Sequence, residues 1–299
     1  MCQMRVFPST NNRFKMKVFS NSDIENYYDQ SEVHYRMFWE LEKSMGLHYG
    51  IWDTGTKSIA DAVLNTNQRL QTLGQLYAND YVLDAGCGIG GSAVFNAKAT
   101  GCRVHGISLS KKQIVTATRL AGQHGLTAKL DFSCRDYTAT GFDAGTFTAA
   151  WAIESMQTAT DKNLFFKEMF RVLQPEGKIL IADIFKPKPY PISPDKDMLT
   201  MLNGWAMSDM LSVEELYTTA AANGFKVSQL VDVTLEISKS VDRIYWASIL
   251  GMFGTKLYNL FYNASHFSKI HYKTGLAQYK TYKTGKWGYY LVELTKMPE

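Results

Sequence analysis

The 299-residue chain has no run of about 18 uninterrupted apolar residues, and so offers no membrane-spanning helix. Its amino-terminal stretch, MCQMRVFPSTNNRFKMKVFS, is basic but lacks the continuous apolar segment of a signal peptide; a soluble, cytoplasmic protein is expected. Cysteine is scarce. Cys2, Cys87, Cys102 and Cys134 have neither paired metal-ligand spacing nor the density of a disulfide scaffold. They read as free thiols in a reducing compartment, with no metal site. A large charge excess is also missing: the net charge is +4 and Lys and Arg are spread along the chain. An extended nucleic-acid footprint is therefore not indicated. No internal repeat or low-complexity tract is present.

What is present is an ordinary globular balance, 45% hydrophobic and 20% charged, in a chain long enough to bury a full core. One elaborated domain is expected. Residues 23 to about 43 have helical character, with Tyr28, Val33, Tyr35, Phe38, Trp39 and Leu41 on apolar faces. The glycine-punctuated GLHYGIWDTG follows, then a helix from about Ser58 to Leu76.

YVLDAGCGIGG, at 81–91, reads as strand, glycine turn and helix start, and RVHGI, at 103–107, as a second strand. A helix follows at SLSKKQIVTATRLAGQHG, where Ser110 and Gln113 have the spacing of a capping box. KLDFS, FTAAWAI and KILIADI are further strands, and the helix DKNLFFKEMFRVL precedes the last of them. A helix boxed by Ser212 and Glu215 then leads to a strand at about 225–233. The final strand, GYYLVEL, comes after some fifty residues rich in Tyr, Phe, Trp, Lys and Met. This alternation predicts a mostly parallel sheet with helices on both faces. The long insertion is expected to be helical and to cover the functional end of the sheet.

Gly86, Gly88 and Gly91 satisfy G-x-G-x-x-G, a pattern shared by dinucleotide enzymes, methyltransferases and plain tight turns. Glycines there let the backbone turn sharply and approach a ligand at a helix amino terminus. Two features separate the nucleotide readings. Asp84 puts a carboxylate at the strand's end, suited to a cationic amino group and repulsive to a diphosphate. The acidic residue expected about 20 positions on in an NAD fingerprint is missing, since the second strand ends in Ser108-Leu109-Ser110.

Taken together, VLDAGCGIGG, GISLSKKQ, CRDY, WAIES and RVLQPEGKILIAD resemble the class I S-adenosylmethionine-dependent methyltransferases in order and spacing, over roughly residues 80–185. HYGIWD, WAIES and the late insertion resemble the sterol, tocopherol, cyclopropane-fatty-acid and prenyl-diphosphate methyltransferases within that group. The resemblance implies a Rossmann-like, doubly wound, seven-stranded α/β sheet with an antiparallel last strand. It divides the chain into an amino-terminal helical arm or lid (1–60), a core (61–237), a helical cap (238–286) and the last core strand (287–299).

The resemblance also implies roles for individual residues. Asp84, Gly86 and Gly88 would line the methionine end of S-adenosylmethionine, and Cys87 and Ala152 would also contact the cofactor. Ser108, Leu109 and Gln113 would face the ribose, and Asp136 and Tyr137 would flank the adenine. Gln113 equally suits a capping box, Asp136 a turn start, and Cys87 a small apolar packing role.

Glu154 follows the apolar strand FTAAWAI and so belongs at a strand's carboxyl end, where ligands bind in open α/β sheets. By resemblance it faces the substrate and acts as a base. A helix-capping or surface ion-pair carboxylate is the plainer alternative. Many relatives carry a histidine shortly after this glutamate, whereas ESMQTATDK has Thr158 and no imidazole, which leaves Glu154 as the base.

In the arm, Tyr49 would contact the cofactor or the substrate head, with Tyr28, His48 and Trp52 nearby. Trp205, Tyr245, Trp246, Phe253, Tyr258, Phe261 and Tyr262 would line an apolar pocket, unless they are simply core. The expected acceptor is a small apolar molecule or a prenyl diphosphate, the latter matched by Arg243, Lys256, Lys269 and Lys273. Its alkene carbon would be methylated through a carbocation that Glu154 quenches. N- or O-methylation of an amine, phenol or quinone-like metabolite is the alternative reaction, and a non-catalytic cofactor-binding protein the alternative class.

Overall fold

The structure, a computed structural model, describes residues 16–38, 41–192, 195–258 and 266–298, with side chains placed outside 30–42 and 253–271. Cys2, and the side chains of Val33, Tyr35, Phe38, Trp39, Leu41, Phe253, Lys256, Tyr258, Phe261, Tyr262 and Lys269, lie outside the described residues.

In chain order the elements begin with α1 (Asn21–Phe38), α2 (Leu41–Ser44), α3 (Ile59–Gly74), β1 (Tyr81–Ala85), α4 (Gly91–Thr100) and β2 (Arg103–Ser108). There follow α5 (Lys111–Gln123), β3 (Leu130–Cys134), β4 (Phe147–Ile153), α6 (Lys162–Val172), β5 (Leu173–Phe185) and α7 (Lys196–Gly204). The chain then forms α8 (Val213–Ala222), β6 (Phe225–Asp232), α9 (Ser238–Tyr258), α10 (His266–Lys283) and β7 (Gly288–Lys296). The sheet order is β3-β2-β1-β4-β5-β7-β6. Strands β1 to β5 pair in parallel, and β7 runs antiparallel to both β5 and β6.

The sheet is apolar on both faces because helices cover both. Alternate residues sort accordingly: Val82, Ala149, Trp151, Leu180 and Ala182 pack on one side, against α7 and α10 residues such as Leu202 and Ala277. Leu83, Ala85, Ala150, Ala152 and Ile181 pack on the other, against Phe165, Phe166 and Leu216. Burying each large side chain of this kind contributes about 1.5–3 kcal/mol, which makes the five inner strands a rigid platform. Strand β5 starts earlier than the apolar run KILIADI suggests. Leu173 already pairs with Phe147, and the register slips before Ala149 meets Lys178, so Gln174–Gly177 form an irregularity.

Serine caps fix the helix starts. Ser58 with Asp61, and Ser212 with Glu215, close reciprocal capping boxes on α3 and α8. The box expected at Ser110 is only half made: Ser110 accepts from the Gln113 N–H, while the Gln113 side chain turns to Ser108 instead. Helix α7 is not foreshadowed by periodicity, since nine residues make only about two and a half turns. It is capped by Asp195 and packs closely on α10, where a Cβ on Gly204 would come within 1.8 Å of the Thr274 hydroxyl. The stretch between β6 and β7 forms α9 and α10.

Strand order reverses between β1 and β4, with β2 and β3 on one side and β5 on the other. Ligands of open α/β sheets bind at such a switch point, outside the strands' carboxyl ends. Gly86 follows β1 there, and Glu154 follows β4.

Candidate active site

The turn after β1 is shaped by its neighbours. Gly86 has φ +103°, and a Cβ there would lie 2.5 Å from the Ser155 Cβ, so only glycine fits. Ser155 in turn donates to the Ala85 carbonyl at 2.6 Å, tying the end of β4 to the end of β1. At Gly88, φ is +52° and an added Cβ would meet nothing within 4 Å. That space belongs to a cavity of about 810 Å³, counted out to its open mouth, lined by Gly86, Cys87, Gly88, Ser108, Gln113 and Glu154 among others.

The cavity has polar walls at its β2 end. The Ser108 hydroxyl donates to the Gln113 Oε1 at 2.7 Å, and Leu109 lines the cavity beside them. Tyr137 also lines it, and its hydroxyl donates to the Ser155 carbonyl at 3.0 Å. Beneath the turn, Asp84 is 2% exposed and its Oδ2 has no partner. Burial pushes its carboxyl up to about 7.

Glu154 has φ +50°, an uncommon conformation for a residue with a side chain. Its backbone N–H is held by the Ala182 carbonyl at 2.8 Å. The Glu154 Oε1 accepts from the Tyr49 N–H at 2.6 Å and from the Tyr289 hydroxyl at 2.9 Å. Oε2 has no hydrogen-bond partner among the described residues. Burial pushes this carboxyl up to about 8, against the pull of the Tyr49 amide and with a push from Asp183. Glu154 also borders a second chamber, walled by Tyr27, Tyr28, Tyr49, Trp205 and Asp183. It thus stands between a polar, glycine-turned cavity and an aromatic one.

His48 lines the first cavity as a neutral imidazole, since burial lowers its pKa to about 4. Its Nδ1 donates to the Tyr49 carbonyl at 3.0 Å, and its Nε2 faces the Asn67 amide at 3.4 Å. Tyr28 lines both cavities, whereas Tyr49 and Trp205 line the second.

Other expected residues are placed elsewhere. Asp136 does not line the cavity: its Oδ2 accepts from Asn21 of α1 at 2.6 Å, and its Oδ1 from the N–H and hydroxyl of Thr138. Ala152 is fully buried on the α6 side of the sheet. Trp52 donates to the Ser240 hydroxyl at 2.9 Å and lies under the Lys239 ammonium. Arg243 and Trp246 are exposed on α9, Trp246 by 63%, and Tyr245 stacks on Tyr279. Lys273 is exposed, beside the ring of its neighbour Tyr272. The reason is geometric: Arg243, Trp246 and Lys273 face outward from their helices, and Tyr245 is taken up between α9 and α10.

Two residues given no role in the sequence analysis, Asp183 and Tyr289, reach the site. Asp183 was available to the same argument as Glu154, a carboxylate closing an apolar strand. Tyr289 carried no signal, because in a buried strand one tyrosine looks like its neighbours.

A model of a methyltransferase domain matches residues 83–181. The methyltransferase GfsG of Streptomyces halstedii is 32% identical over 167 residues, 54% of this chain and 58% of that protein. The chain therefore spans little more than half the length of that relative. Among solved structures, the [4+2]-cyclase SpnF superposes with a TM-score of 0.78 at 21% identity, covering 94% of this chain and 98% of that one. The geranyl diphosphate C-methyltransferase of Streptomyces coelicolor A3(2), in complex with Mg2+, geranyl diphosphate and S-adenosyl-L-homocysteine, gives 0.70 at 20% identity, covering 97% and 100%. Matched domain, sheet order and glycine turn agree, and residues 83–181 form a methyltransferase domain.

Proposed function

We propose that the protein is an S-adenosylmethionine-dependent methyltransferase that methylates an alkene carbon of an isoprenoid. The observation that carries this reading is Glu154, whose Oε1 alone is bonded among the described residues, between a polar cavity and an aromatic chamber. The residues of the first cavity fit the cofactor. Gly88 opens onto free space, and Ser108 and Gln113 offer a polar pair to a ribose; Asp84 does not line the cavity but lies buried beneath its glycine turn, with an orphaned oxygen that would favour a nearby ammonium group. When bound, the cofactor supplies an electrophilic methyl on a positively charged sulfur.

The chain's own residues supply the rest. The aromatic chamber excludes water and holds an apolar acceptor in line with the transferring group. Addition of a methyl group to one alkene carbon would leave positive charge on the acceptor's neighbouring carbon. The faces of Tyr27, Tyr28 and Trp205 stabilise it. Glu154 then takes the adjacent proton, and the carbon–hydrogen pair closes the product alkene.

The test is incubation with methyl-labelled cofactor against isoprenoid hydrocarbons and alcohols, quinols and amines, with the product located by NMR. A new carbon–methyl bond on an isoprenoid is the expected result. Label on oxygen or nitrogen alone overturns the C-methylation reading and leaves the methyltransferase assignment.

A further inference from the structure

Asp183 stands beside Glu154 at the strand ends. It follows Ala182, whose carbonyl receives the Glu154 N–H, and it borders the aromatic chamber while only 2% exposed. Its Oδ2 accepts from the Gln157 N–H at 3.1 Å and its Oδ1 from the Ile184 N–H at 2.8 Å. Gln157 is itself locked, donating to the Ile184 carbonyl at 2.9 Å and accepting from the Leu211 N–H at 3.0 Å. The carboxyl is therefore fixed in place. A carboxylate offers about four lone-pair sites, so the two amides leave it capacity for a ligand.

Among the described residues, the wall of the chamber carries no cation: no Lys or Arg lines it. Lys162, whose charge reaches Asp183, spends its ammonium on the carbonyls of Gln157, Ala159 and Asp209. An anionic head group entering here would lose its water, meet two carboxyls and find no basic partner. A hydroxyl is the complementary group. It donates to an ionised carboxylate and can also accept from a protonated one, whereas an ammonium is matched only by the ionised form.

We propose that Asp183 is a specificity-determining residue of the acceptor chamber, which receives the hydroxyl of an uncharged isoprenoid alcohol and rejects the corresponding diphosphate. This rests on the isoprenoid reading of the site and names its substrate class. It also separates the protein from the expectation that a prenyl diphosphate is held by Arg243, Lys256, Lys269 and Lys273. Of these, Arg243 and Lys273 are exposed on the outer helices.

The test uses the full chain saturated with S-adenosylhomocysteine, and follows binding by calorimetry during titration with geraniol, myrcene, geranyl diphosphate and geranylamine. Geraniol should bind at least about tenfold more tightly than myrcene or the diphosphate, as expected where a site is built to pair with a hydroxyl. Asp183→Leu should erase the difference between geraniol and myrcene while leaving myrcene affinity within about twofold. Asp183→Asn, which keeps one acceptor oxygen, should retain most of it. Preference for the diphosphate or the amine in the unmodified protein overturns the proposal, as does an unchanged geraniol-to-myrcene ratio in Asp183→Leu. If that variant does not fold, loss of the geraniol preference in Asp183→Asn, or its absence in the unmodified protein, serves instead. Binding of none of the four probes overturns the isoprenoid reading and the proposal with it, while equal binding of geraniol and myrcene overturns the proposal alone.

Discussion

The Tyr289 hydroxyl donates to the Glu154 Oε1 at 2.9 Å, so the antiparallel last strand reaches across β5 to the carboxyl that closes β4. That bond favours the ionised carboxylate and opposes the burial that pushes Glu154 up to about 8. Tyr289→Phe removes the donor and leaves the ring. The pKa of Glu154 should rise further, moving the acid limb of the kcat/KM profile to higher pH. Activity at pH 7 should fall about tenfold, the equivalent of one pKa unit, and recover toward pH 9. A pH profile of purified variant and parent is the measurement. A uniform loss at every pH would show that the tyrosine only packs.

Three buried carboxyls make the cofactor-free protein sensitive to alkali. Asp84 and Asp183 are pushed up to about 7 and Glu154 to about 8. Each raised pKa means that the folded state holds its proton longer than the unfolded chain does. The associated stability is complete below the ordinary carboxylate range and is lost as pH rises through about 7 to 8. His48, lowered to about 4, adds no slope above its ordinary value near 6.5. Lys162, lowered to about 8, works in the opposite direction only above that pH. Between pH 6.5 and 8 the melting temperature should therefore fall, and Asp84→Asn should flatten the decline. The stabilisation gained from S-adenosylmethionine should grow over the same interval, because its cations favour the ionised carboxyls. Thermal denaturation with and without cofactor at pH 6.5, 7.2 and 8 checks both. A melting temperature that climbs with pH would contradict them.

The parts of this molecule that could be read in the sequence are those set by local rules. The apolar strand runs, the glycine turn and the serine caps follow from a few adjacent residues. The position of Glu154 at a strand's carboxyl end follows from the same pattern. What could not be read depends on residues far apart in the chain. Asn21 occupies the Asp136 carboxylate across 115 positions, and Tyr49 and Tyr289 reach Glu154 across 105 and 135. Gln113 shows how the two levels meet. Its backbone fulfils the capping rule, while its side chain turns to Ser108, a contact that spacing alone did not anticipate. On α9, aromatic content suggested a pocket, but content does not say which side of a helix faces inward, and Trp246 faces water.

Gly86 and Gly88 should respond differently to the same substitution. Gly86→Ala drives a Cβ to 2.5 Å from Ser155 at φ +103°, so the fold itself should lose about 1–3 kcal/mol. Gly88→Ala meets nothing within 4 Å and carries only the cost of a left-handed residue, about 1 kcal/mol. Its methyl group would instead occupy space in the cavity. Chemical denaturation and calorimetry with S-adenosylhomocysteine should separate the two. Gly88→Ala should weaken cofactor binding by far more than it lowers stability, and equal effects on both measurements would argue that Gly88 does not border the cofactor.

Glu154→Gln preserves the shape of the side chain and its bond from the Tyr49 N–H while removing basicity. Cofactor affinity should stay nearly unchanged, because the polar walls at Ser108 and Gln113 are untouched. Turnover should fall at least about 10²-fold, the usual loss when a general base is removed. Product identity is the sharper measurement. If methylation leaves a cation that Glu154 deprotonates, the variant should release methylated products that are rearranged, cyclised or trapped by water, because the cation outlives its missing base. If the acceptor is instead an amine or a phenol, the same product should form more slowly. Mass spectrometry and NMR of products from parent and variant distinguish the cases. Full activity with an unchanged product on an isoprenoid acceptor would remove Glu154 from the chemistry and leave it a structural link between β4, the arm and β7.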